Sequence, residues 1–185
     1  MAWRRHKKDA YSTWLKTEFG GLIDELELDA RRKRFLRSRW LEQLDWVESK
    51  AGQARDRYYR LRLTTVIGAV LVPGLVSASF ADGSLENSLR VTTWVVSLVV
   101  AVSAAVEQFF HFGERWRNYR RTAERLKTEG WLFLELGGPY TAVGATHGSA
   151  FTAFATRIEQ LLQGDVEVYL TEVAVEKKEK ERAES

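Results

Sequence analysis

The sequence predicts an all-α membrane protein: a two-span transmembrane hairpin with long cytoplasmic helical arms, assembled as a homo-oligomer. Three observations predict it. Two long stretches in the middle of the chain carry no charge. Basic residues crowd one end of both stretches, and the charged ends of the chain carry apolar residues at helical spacing. The chain has 185 residues, with 28 Lys+Arg, 25 Asp+Glu and no cysteine. Only three of those charges, Asp82, Glu86 and Arg90, fall within 63–106. The missing cysteine excludes disulfide frameworks, thiolate metal sites and cysteine nucleophiles.

The N-terminal cytoplasmic helices occupy 1–62. Leu15, Phe19, Leu22, Ile23 and Leu26 recur at helical spacing, with Gly20-Gly21 as a weak point. The run 31–39 then packs six basic residues into nine positions. It reads either as a patch for anionic lipid or nucleic acid, or as the solvated face of a helix. The second reading is favoured, because Phe35 and Trp40 fit a buried stripe. That stripe runs Leu36, Trp40, Leu44, Val47, Ala51, Ala54, Tyr58 and ends at the first uncharged stretch. One helix is expected to continue from the arm into the membrane, its stripe covered by the other arm or by another subunit. The notional interface residues between subunits are Leu36, Leu44, Val47, Ile158, Leu161 and Val166.

The first span is assigned to 63–81, the external loop to 82–90 and the second span to 91–110. At 1.5 Å per residue, uncharged stretches of this length reach about 27–30 Å, close to the hydrocarbon thickness of a bilayer. A buried soluble hairpin is the alternative. The flanks argue against it. Lys50, Arg55, Arg57, Arg60 and Arg62 precede the first span, and Arg115, Arg117, Arg120, Arg121, Arg125 and Lys127 follow the second. The loop holds only Arg90, so both termini are expected inside. Tyr58, Tyr59, Trp94, Phe109, Phe110, Phe112, Trp116 and Tyr119 stand where interfacial aromatics belong. No apolar run follows MAWRRHKKD, so the spans themselves are expected to direct insertion.

The C-terminal cytoplasmic helices occupy 111–176, with helical patterning over 114–136, a break at Gly137-Gly138-Pro139 and a loop to 149. Phe151, Phe154, Ile158, Leu161, Leu162, Val166, Tyr169 and Val173 resume a helical register. Val166, Val168 and Leu170 also alternate as a short strand would. The tail 177–185 is a charged end. No catalytic constellation appears. His6, His111 and His147 lack metal-ligand spacing, and no phosphate-binding loop, dinucleotide fingerprint or nucleophile elbow is present. Neither an enzyme nor a cofactor or metal is expected.

The segment WLEQLDWVESKAGQARDRYYRLRLTTVIGAVLVPGL, with Gln43, Trp46, Lys50, Ala51, Tyr58 and Pro73, resembles the entry into the first span of the SLATT family of bacterial two-transmembrane proteins. After the second span, Arg120, Ala123, Glu124, Leu126, Lys127 and Glu129 resemble that family's R-x-x-A-E-x-L-K-x-E signature. The likeness covers about 35–165. It implies a bacterial inner-membrane, multi-pass protein acting as a pore-forming effector in nucleotide-triggered stress or defence. No nucleotide-sensing domain is expected within these 185 residues, so the trigger stays open.

A two-span subunit is too small to enclose a channel, so a pore requires several copies. On the second span, Thr93, Ser97, Val100, Ala104, Glu107 and Gln108 fall within about 60° of one direction at 100° per residue. This face is small or polar and ends in a carboxylate. It is the candidate pore lining, with Glu107 favouring inorganic cations as permeants. The same small residues also suit close helix packing, and Glu107 could pair with an arginine such as Arg115. Pro73 and Gly74 in the first span are a candidate hinge or a shape feature. The expected function is a homo-oligomeric, cation-preferring membrane pore. The alternative is a non-conducting scaffold whose arms recruit a partner. The expected partners are the bilayer and further copies of the chain, not nucleic acid.

Overall fold

The computed structural model describes residues 2–79 and 86–164, and these are helical throughout apart from short connections. In order, the elements are α1 (Ala2–Glu25), α2 (Ala30–Phe35), a π-helical segment (Leu36–Leu41), α3 (Glu42–Ser79), α4 (Glu86–Phe110), α5 (Phe112–Leu134), a 3-10 turn (Gly138–Tyr140) and α6 (147–164). The expected all-helical class holds among the described residues. Val166, Val168, Tyr169, Leu170, Val173 and the tail lie outside them, as does most of the connector between the two apolar helices.

The chain divides into two compact units, Met1–Ser49 with Asn118–Ser185, and Lys50–Arg117. In the first unit, α1 buries Leu15, Phe19 and Ile23 and runs unbroken through Gly20-Gly21, and Leu26, just beyond its end, is buried with them. Asp29 caps α2 by accepting the Arg32 N–H at 2.9 Å. The π-helical segment has a visible cause in the sequence. Leu36, Trp40 and Leu44 are spaced by two successive steps of four, which would drift by about 80° around an α-helix. The wider π turn absorbs that excess, and all three residues stay buried.

Phe19, Trp40, Phe133 and Phe154 form the aromatic centre of this unit. Trp40 meets Phe19 and Phe154 edge-on at 5.2 and 5.9 Å, and Phe133 stacks on Phe154 at 4.3 Å. Helix α5 ends at Leu134, and Leu136, two residues on, takes the left-handed conformation (φ 49°). The N–H of Gly137 bonds back to the Leu132 carbonyl at 2.8 Å, closing the helix end.

One expectation is corrected here. Leu36, Leu44, Val47 and Ile158 do not present apolar rows for a second subunit. They are buried within one chain, packed in a single core with residues of α1, α5 and α6. The stripe is covered by the chain's own arms, because α1 and α6 both fold onto it.

The second unit contains the remainder of α3, all of α4 and the start of α5. Helices α3 and α4 run antiparallel: Val100 packs on Gly68, while Gly113, beyond the end of α4, packs on Tyr58. Both helices are long and apolar enough to cross a membrane, and only 6% of each apolar window is buried within the chain. A core helix of a soluble protein would be mostly buried. Here Val66, Ile67, Val70 and Leu71 on α3 and Trp94, Val95, Leu98, Val99 and Val102 on α4 are all exposed. Helix α4 begins at Glu86, five residues before the second span assigned from sequence.

Candidate functional site

The face of α4 singled out above is divided by the structure. Thr93, Ser97, Val100 and Glu107 are half-buried, whereas Ala104 and Gln108 are exposed. Val100 is spent on packing: a Cβ on Gly68 would overlap its Cγ2 methyl, so glycine is what lets the two helices approach. Thr93 donates its hydroxyl to the Leu89 carbonyl at 2.8 Å, so that donor is satisfied within the helix. Thr92, Thr64 and Thr65 do the same with the carbonyls four residues back. Ser103, passed over in the sequence reading, is the most buried polar residue of α4. Its position among valines gave no sign of that.

The exposed border of this face carries Ala101, Ala104, Ala105 and Gln108. Glu107 stands where α4 is about to end, and it forms no ion pair or hydrogen bond with its side chain among the described residues; Arg115 is not its partner. Four residues on, His111 breaks the helix in the left-handed conformation (φ 47°), which histidine tolerates better than most residues. Its N–H bonds to the Glu107 carbonyl at 3.0 Å, and its own carbonyl accepts the Glu114 and Arg115 N–H groups at 3.1 Å. A single residue thus both finishes α4 and starts α5.

Pro73 lies inside α3, which is helical on either side of it to Ser79. Proline has no N–H to offer the Ala69 carbonyl. Gly74 is exposed, and a Cβ there would meet nothing within 4 Å.

The residues that carry the likeness to SLATT proteins are engaged in packing and ion pairs within the chain. Trp46 sits edge-on to Tyr119 at 6.1 Å, Ala51 is buried, and Tyr58 stacks on Trp116 at 6.2 Å. Lys50 is half-buried and partnered. After α4, Arg120 bridges Glu48 at 3.3 Å and Glu124 at 2.6 Å, while Ala123 and Leu126 are fully buried. Lys127 also reaches Glu48. Burial pulls the Lys127 pKa down, but hydrogen bonds to Glu48 and Tyr11 outweigh it and leave the ammonium above its ordinary value.

Glu129 is 5% exposed and accepts from Arg157 at 2.5 and 3.1 Å and from the Tyr140 hydroxyl. Burial, followed by the Glu129 hydrogen bond, pushes the Tyr140 phenol up. These groups tie α3, α5, the 3-10 turn and α6 together.

The basic run 31–39 is largely committed within the fold as well. Arg32 donates to the Gly148 carbonyl at 3.0 Å, Lys33 to the Asp24 carbonyl at 2.9 Å, Arg37 pairs with Asp24, and Arg39 forks onto Glu159 with both bonds at 2.7 Å.

Compared with known proteins, residues 42–146 match the family described as "Protein of unknown function (DUF4231)". No curated protein and no solved structure matches the chain.

Proposed function

We propose that this chain, which belongs to the DUF4231 family of unknown function, works as a homo-oligomeric membrane pore with a preference for cations. The observation that carries the reading is the make-up of α4. Exposed apolar side chains cover most of the helix, while one border is small or polar and runs to Glu107. Two helices packed through Gly68 and Val100 are too few to enclose a channel, so conduction takes several copies with these borders around a shared axis. Thr93, Ser97, Ala104, Glu107 and Gln108 are the lining of this reading, and Val100 holds the hairpin together instead. A ring of Glu107 carboxylates at one mouth would concentrate cations and repel anions. The N–H that Pro73 cannot offer the Ala69 carbonyl and the open space at Gly74 support a hinge there.

The eleven-to-one distribution of basic residues supports a bilayer orientation with both termini inside. The likeness to SLATT proteins supports a bacterial inner membrane and a role as a stress or defence effector with a nucleotide-linked trigger. A non-conducting scaffold is the second reading. It is favoured by the packing role of Val100 and by the exposed Trp14 and Trp131 on the helical arms, residues suited to docking a partner.

Ion flux through proteoliposomes of the purified protein separates the two. Glu107→Gln should keep the oligomer's mass and lower the cation-over-anion preference, and Glu107→Lys should reverse it. Absence of flux at every membrane potential would sink the pore and leave the scaffold.

A further inference from the structure

We infer that Arg62 on α3 and Arg115 and Arg117 on α5 form a belt that binds anionic phospholipid headgroups. The belt rests on the membrane reading above but not on conduction. All three guanidinium groups are exposed, and none has a hydrogen bond, ion pair or ring partner among the described residues. Their neighbours are spoken for. Arg55 pairs with the Asp56 carboxylate at 3.2 Å, Arg60 donates to the Asp56 carbonyl at 3.1 Å, and Arg57 lies over the Phe112 ring at 5.6 Å. The fold therefore consumes half of this cluster and leaves the other half facing out.

What surrounds the three free cations points to lipid. Trp116, between Arg115 and Arg117, packs against Tyr58 and Tyr59 at 6.2 and 5.7 Å, one turn of α3 from Arg62. The exposed apolar band starts immediately beside them, with Leu63 on α3 and Phe109 and Phe110 on α4. Cations bordered on one side by amphipathic rings and on the other by a continuous apolar surface match a phosphate with acyl chains attached. A free phosphate or a nucleic acid would gain nothing from that apolar border. Arg115 and Arg117 are two residues apart and so point to different sides of α5. The belt holds several headgroups around the hairpin rather than one lipid in a pocket.

The test uses the full chain in detergent, offered equal amounts of phosphatidylglycerol and phosphatidylcholine, with retained lipid counted by native mass spectrometry. The parent protein should retain phosphatidylglycerol preferentially. Arg62→Gln, Arg115→Gln and Arg117→Gln together should abolish the preference, each contributing up to about fivefold, the equivalent of about 1 kcal/mol per basic residue at an anionic surface. The matching triple lysine variant should keep it, which separates lost charge from lost fold. Arg31→Gln with Arg34→Gln, at exposed arginines of the other unit, should leave it intact. Equal retention of both lipids by the parent, or a preference surviving the triple glutamine variant, would overturn the belt. An alkaline carbonate wash of native membranes tells the two failures apart. Protein that stays in the pellet yet shows no preference defeats only the belt, whereas protein released by the wash defeats the membrane reading and the belt with it.

Discussion

The indole of Trp40 occupies the space that a side chain on Gly130 would need, with Cζ2, Cε2 and Cη2 all too close for a Cβ. Its Nε1–H donates to the Leu126 carbonyl at 3.0 Å, one turn earlier on α5. The edge of a large ring thus lies against a helix backbone and is fixed there by a hydrogen bond. Gly130→Ala should destabilise the chain by about 1–3 kcal/mol through overpacking. Thermal unfolding followed by tryptophan fluorescence should show a lower midpoint, and an unchanged midpoint would mean that Trp40 can move aside.

The close approach of α3 and α4 gives a second prediction. Gly68→Ala should lower the melting temperature of the detergent-solubilised protein, since its methyl meets Val100. Adding Val100→Ala should recover part of the loss, so the double variant is more stable than the two single effects would sum to. Strict additivity would place the two residues apart in the working protein.

Acid sensitivity follows from two paired carboxylates. Burial raises the Asp45 pKa, but hydrogen bonds from Lys16 and Ser12 and the Lys16 charge outweigh it, leaving a net depression. Glu159 is held down chiefly by its hydrogen bond from Arg39. A depressed folded pKa means that the unfolded chain takes up protons first. The stabilisation is complete above the unfolded values, near about 4, and is lost as pH falls through the folded ones. Lys16 and Arg39 are 49% and 42% exposed, so each pair is worth roughly 0.5 kcal/mol. Asp45→Asn with Glu159→Gln should lower the midpoint at neutral pH and flatten its acid decline. An unaltered acid limb would show that other groups govern it.

Orientation is tested by reporter fusions. If the excess of basic residues at one end of the hairpin sets its orientation, fusions in the connector between α3 and α4 should be accessible from outside and fusions at either terminus from inside. An externally accessible terminus would invert the placement of Glu107 and of the arginine belt.

Much of the fold was legible because periodicity reports which face of a helix is buried. The stripe from Leu36 to Ala54 is buried as its spacing indicated, and so are Leu15, Phe19 and Ile23. Periodicity does not report what does the burying, which is why the rows through Leu36, Leu44 and Val47 and through Ile158 read as surfaces awaiting another subunit, although α1, α5 and α6 of the same chain share their core. The candidate face of α4 was legible as a cluster of small and polar residues. Its division was not: nothing in an apolar run marks Gly68 as the place where Val100 lands. The arginines looked alike in sequence, and only the positions of Asp56 and Phe112 separate the committed from the free.

Glu48 receives both Arg120 and Lys127, and Glu129 receives Arg157 and Tyr140. The pattern by which such chains would be recognised therefore encodes the folding of the arms. It is a badge of scaffold, silent about cargo. Two proteins could carry every one of those residues and differ entirely along α4, one passing ions and the other passing nothing. Grouping chains by that pattern would gather shared architecture while mixing unlike activities, and the residues that separate them would have to be sought on the helix the pattern omits.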